Sequence, residues 1–116
     1  MAINYHQPVD STGYKTVAAS TTGATLTGTG GAAVAGGAGG AQGDFLNYLI
    51  VTPTTTSPGS IAILDGATSI TVFAGGASAL LSLVPFTIPI GFLSANGAWT
   101  ITTGSGLSLI AVGQYT

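Results

Sequence analysis

The chain has 116 residues, enough for one modest domain, and its only charged side chains are Asp10, Lys15, Asp44 and Asp65, for a net charge of −2. That is 3% charged residues against roughly 25% in ordinary soluble proteins. One lysine cannot build the basic footprint that nucleic acid requires. The absence of cysteine excludes disulfides and thiolate metal sites, and fits synthesis in a reducing cytosol. From Gly66 to Thr116 there is no charge at all, so the surface lacks the usual means of staying apart from neighbours. The composition therefore predicts a protein that works against partners.

Residues 1–16 form a polar head, and MAINYHQPVD shows no basic leader followed by an apolar run. Residues 17–43 are rich in Thr, Ala and Gly, ending in TGTGGAAVAGGAGGAQG, with eight glycines in seventeen positions. Such a segment loses much backbone entropy on ordering and buries little apolar area in return. Residues 1–43 accordingly read as an extended arm held by a partner, for instance by adding a strand to an exposed sheet edge. A globular domain is expected over 44–116.

Within that domain the strand candidates follow in order. DFLNYLIVT (44–52) is closed by Pro53, and SIAILDGATSITVF (60–73) holds two strands around Asp65-Gly66, a hairpin dipeptide whose central positions tolerate positive φ. Residues 79–90 offer a long apolar strand, which Pro85 and Pro89 would bend or place at an edge. After Asn96-Gly97 come AWTITT (98–103), the link TGSG and LSLIAVGQY (107–115). Trp99 and Ile101 alternate with Thr100 and Thr102. Leu107, Leu109 and Ala111 alternate with a second face where Ile110 and Val112 are also apolar. No stretch shows helical periodicity or a capping box. Six or seven short strands with regular turn signals predict an all-β, jelly-roll-like antiparallel β-sandwich. So few strands make a small core, which favours oligomers.

The most apolar stretch, ALLSLVPFTIPIGFL, spans fifteen residues and contains two prolines, short of the ~20 apolar residues of a membrane helix. No membrane partner is expected. GTGGAA (28–33) matches a dinucleotide fingerprint only in letters, because no strand and helix flank it. His6 is the only histidine and has no Cys or Glu to join it, so no metal site or catalytic triad is expected. Asp65 belongs to a turn, and Asp44 opens a strand or caps the arm. Trp99 lies on an alternating strand and reads as core in preference to a sugar platform. No catalytic residue, cofactor or metal is predicted. The terminal tyrosines, including Tyr115, read as inter-subunit contacts. The contact residues expected from aromatic and proline placement are Tyr5, Tyr14, Phe45, Pro85 and Phe86.

Residues 48–112 carry a recognisable set of motifs: YLIVTP, the ILDG hairpin, PFTIPIG, and a closing GAWTITTGSGLSLIAVG. Together they resemble small β-rich structural proteins encoded in the head and structural modules of tailed bacteriophages and prophages. The resemblance implies a non-enzymatic virion component made in a bacterial cytoplasm. It most resembles a decoration or cement subunit on the capsid exterior, bound to the major capsid protein and to copies of itself as a homotrimer. A spike or fibre module that meets host-surface glycans, and a tail or neck assembly protein, remain open alternatives.

Overall fold

The protein is seen in a computed structural model, of which residues 13–27 and 42–115 are described. Eight strands form two antiparallel sheets: β1 Gly13–Val17, β2 Ala24–Thr25, β3 Phe45–Pro53, β4 Ile61–Asp65, β5 Thr68–Phe73, β6 Phe86–Leu93, β7 Trp99–Thr103 and β8 Leu107–Gln114. Sheet A has the order β1-β8-β3-β6 and sheet B the order β2-β7-β4-β5. The pairings are nested: β4 with β5, β3 with β6, β2 with β7, β1 with β8. One long hairpin has thus been rolled into two layers, which is the jelly-roll arrangement.

Alternation decides the packing. In β8 the buried positions are Leu107, Leu109, Ala111 and Gly113, and in β7 they are Trp99, Ile101 and Thr103. Leu49 and Val51 of β3 join them from sheet A, and Ile61 and Ile63 of β4 from sheet B. Three polar side chains are buried along with this apolar set, Asp44, Ser94 and Thr103.

The structure differs from the sequence expectations at three places. Eight strands are present, not six or seven, because residues 13–25, assigned to the arm, supply β1 and β2. The sandwich therefore begins before Gly43. Val17 and Leu26 are the apolar anchors that bring this segment in, and both are buried. Backbone pairing supplies the rest, with Tyr14 opposite Val112 and Ala24 opposite Ile101. Residues 28–41 of the glycine-rich stretch lie outside the described residues.

The strand expected over 79–90 is β6, Phe86–Leu93, and residues 74–85 form an irregular link. Gly75 and Gly76 have positive φ and start that link, and Pro85 ends it. β6 is an edge strand, the position its proline demands. The hairpin turn is centred on Gly66-Ala67, one residue later than expected, with Asp65 and Thr68 as the closing pair. Only Gly66 has positive φ, as in a type II′ turn. Asn96-Gly97 comes just before β7, in the order expected. It sits in the link that carries the chain from sheet A to sheet B.

The links from β1 to β2, β3 to β4, β5 to β6 and β7 to β8 all cross between the sheets at one rim. They are tied together there by their backbones. Ser20 N donates to Gly104 O, Gly59 N to Ser105 O, Thr54 N to Gly106 O, and Gly76 N to Pro58 O, at 2.7–2.9 Å. Gly59 and Gly104 meet backbone to backbone. A Cβ on Gly104 would lie 2.6 Å from Gly59 Cα and 2.8 Å from Ser60 N. Gly104→Ala is accordingly expected to cost roughly 1–3 kcal/mol by overpacking. Thr87→Ala, at an exposed position of the edge strand, should stay within about 0.5 kcal/mol. Urea unfolding of the two variants checks this, and equal midpoints would refute the close-contact account.

Candidate interaction surface

The outward faces of the two sheets differ in chemistry. In sheet B the register places Thr25, Thr100, Leu64 and Ser69 in one row and Thr102, Ala62 and Thr71 in the next. That face is mostly hydroxyl. In sheet A one row is Tyr14, Val112, Tyr48 and Pro89, and the next is Thr16, Ile110, Ile50 and Thr87. Tyr14 is 53% exposed, and neither outer row of sheet A contains a charge. A bulge at Asn47 lets Leu46 point into the core while Tyr48 faces out.

Beside the crossover rim, the outer face of sheet A holds an open groove of about 360 Å³, walled by Thr16, Ala18, Thr52, Ser108 and Ile110. At the same rim the link from β5 to β6 emerges beside the β6 edge. Its first residues are held, since Leu80 N donates to Thr56 O at 3.1 Å and Ser78 N to Ser57 Oγ at 2.9 Å. Beyond them Leu81 is fully exposed, Val84 is 67% exposed and Leu83 about half. None of residues 79–85 lines the groove of its own chain.

The opposite rim is polar but closed. The Asp65 carboxylate accepts from Ala95 N at 3.0 Å and Asn96 N at 2.8 Å, which clamps the β6–β7 link. Trp99 Nε1 donates to Asp44 O at 3.0 Å, and the indole is wholly buried against Phe92, so Trp99 offers no stacking platform. Tyr115 is also buried, not exposed for subunit contact as its terminal position predicts. Its hydroxyl has no hydrogen-bond partner among the described residues. Burial first, and the negative charge of Asp44 second, push its pKa well above the ordinary tyrosine range. Among the described residues no three His, Cys, Asp or Glu side chains gather, and no helix is long and apolar enough to cross a membrane.

Of the contact residues expected from sequence, Tyr14 and Phe45 fall on the outer face of sheet A, Phe45 at the end opposite the groove. Pro85 is exposed in the β5–β6 link. Phe86 is half-buried and turned toward the core, with its ring 5.5 Å from that of Phe73. Tyr5 and His6 lie outside the described residues. The exposed leucines of 79–85 escaped the sequence reading because an apolar run there scores as a strand; the prolines and the glycine pair before it were the available signal.

Against protein-family models, curated proteins and solved structures the chain finds no match.

The buried phenol gives a pH expectation. The unfolded chain ionises Tyr115 near pH ~10, while the folded chain keeps it protonated. Stability is thus fully present below about pH 10 and falls as pH rises beyond it, by up to about 1.4 kcal/mol per pH unit. Tyr115→Phe should abolish that component and be neutral or stabilising by up to ~1 kcal/mol at pH 7, because it removes an unpaired buried hydroxyl. Urea titrations at pH 7 and 11 read both effects. A clear loss of stability at pH 7 would show that the hydroxyl is paired.

Proposed function

We propose that this protein is a non-enzymatic virion structural subunit, a capsid decoration or cement protein of a tailed bacteriophage. It would sit on the capsid exterior, bridge neighbouring major capsid proteins and associate with copies of itself as a homotrimer. The observation that carries the reading is the pair of charge-free sheet faces, one of them apolar, on a small domain. An isolated soluble monomer gains nothing from such a face, whereas a subunit spread over a shell buries it in many identical copies. Each square ångström of apolar surface so covered contributes about 25 cal/mol before ordering costs. The resemblance of residues 48–112 to phage structural proteins supports the same reading. The jelly roll is compatible with it and does not select it, because this fold serves capsid, lectin and enzyme domains alike.

The test is the copy number of the chain in the native particle, measured by quantitative mass spectrometry against its most abundant companion. Hundreds of copies in a simple ratio to the shell protein are expected. A handful to a dozen would point to a spike, neck or tail component, and failure to find the chain in any particle would end the virion reading.

A further inference from the structure

We infer that Asn96 is a site of spontaneous covalent modification, where Asn96-Gly97 converts through a cyclic imide to aspartate and isoaspartate, at a rate that Asp65 restrains. The chain has three asparagines, and Asn96 alone is followed by glycine, since Asn4 and Asn47 both precede tyrosine. A following glycine has no Cβ to shield its amide nitrogen and leaves the backbone free to bring that nitrogen to the side chain. Asn96 is exposed, so water reaches it. Gly97 N has no hydrogen-bond partner among the described residues, so the attacking atom is not tied up.

The reaction needs only water. Gly97 N attacks Asn96 Cγ, and the new N–C bond forms as the Cγ–Nδ2 bond breaks. The side-chain nitrogen leaves as ammonia, carrying the proton that Gly97 N gives up. Water then opens the imide at either carbonyl. Opening at Cγ leaves aspartate, and opening at the main-chain carbonyl leaves isoaspartate, with one extra methylene in the backbone. Nothing is oxidised or reduced. Either product adds one negative charge, so the net charge of −2 becomes −3.

The β4–β5 turn governs the rate. Asp65 accepts from Asn96 N at 2.8 Å and from Asn96 Nδ2 at 3.4 Å, which holds the side chain toward that turn. To cyclise, the side chain must leave the carboxylate and bring Cγ onto Gly97 N. Asp65-Gly66, the neighbouring dipeptide of the same kind, is spared. Gly66 N donates to Ala98 O at 3.4 Å, and the Asp65 carboxylate is engaged by Ala95 N and Asn96 N. Conversion of Asn96 has a structural cost. The new carboxylate faces that of Asp65, and the only cation among the described residues, Lys15, is on β1 of the other sheet. Like charges so placed oppose one another. The longer isoaspartate backbone also displaces Gly97, where a Cβ would lie only 3.1 Å from Gly66 Cα. Both changes loosen the link that joins sheet A to sheet B. The inference goes beyond the virion reading and does not depend on it.

The experiment ages the purified full chain at neutral pH, separates charge variants by ion exchange and maps them by tandem mass spectrometry. A more acidic species is expected to accumulate, converted at Asn96 and not at Asn4 or Asn47. Asn96→Gln, which would have to close a larger ring, should not form it. Asp65→Ala should speed conversion about fivefold, the rate equivalent of one ordinary hydrogen bond. The wild type in urea, where Asp65 no longer holds Asn96, should also convert faster than the folded chain, which keeps the test decisive if Asp65→Ala does not fold. The isolated acidic species should melt at a lower temperature than fresh protein. The inference is overturned by absence of the acidic species, by equal conversion at Asn47, by a folded Asp65→Ala chain or a urea sample that ages no faster than the folded wild type, or by an acidic species as stable as fresh protein.

Discussion

The sandwich depends on the rim where its four crossing links meet. Each link leaves one sheet and enters the other, so each must turn sharply and satisfy its own backbone away from any ladder. The solution is mutual: the carbonyls of residues 104–106 receive the amides of Ser20, Gly59 and Thr54, while Thr103 N donates to Thr21 O. Thr103 adds its side chain, which accepts from Thr21 N and donates to Ala18 O. That is why Thr103 is tolerated at a buried position: its hydroxyl is spent on the backbone of the rim. Two glycines pressed together at Gly59 and Gly104 let the links approach closely enough for these bonds to form. The rim fixes how the two sheets stack, and it also places the groove and the exposed leucines on one end of the molecule.

The near absence of charge then acquires a structural meaning. Asp65 is occupied in clamping the β6–β7 link, and Asp44 is buried behind Trp99. Among the described residues only Lys15 remains as a charge without a structural duty of this kind, and it sits on the edge strand β1. The outer faces are thus left to hydroxyls on sheet B and, on sheet A, to tyrosine, isoleucine, valine and proline flanked by Thr16 and Thr87 on the edge strands. A molecule built this way presents two neutral faces of different wetness.

Much of the fold was legible in residue order. Period-two alternation located β3, β7 and β8 to within a residue or two, and Pro89 announced an edge. What alternation could not reveal was β1 and β2. They are short, and only Val17 and Leu26 mark them as buried. Their stability comes from backbone pairing with β8 and β7, about a hundred residues and eighty residues away, and no local pattern records so distant a partner. The same limitation hid the site. Tyr14 and Phe45 could be named as surface aromatics, but the row that joins Tyr14 to Tyr48 exists only through registers that β8 imposes. Phe86, equally plausible by type, is turned toward the core by the parity of β6, and Tyr115, just past the end of β8, is buried as well.

The nested pairing has a consequence for how the chain is made. β8 lies between β1 and β3, and β7 lies between β2 and β4, so the last two strands occupy interior places in both sheets. During synthesis every earlier strand except the β4–β5 and β3–β6 pairs must wait for them. Gly13 finds Gly113 only after the hundred residues between them have been made. Such distant pairings form slowly, and the waiting segments expose apolar edges meanwhile. A sequence almost without charge has little electrostatic protection in that interval, so the demand on chaperones is set by strand order as much as by the hydrophobicity of the core.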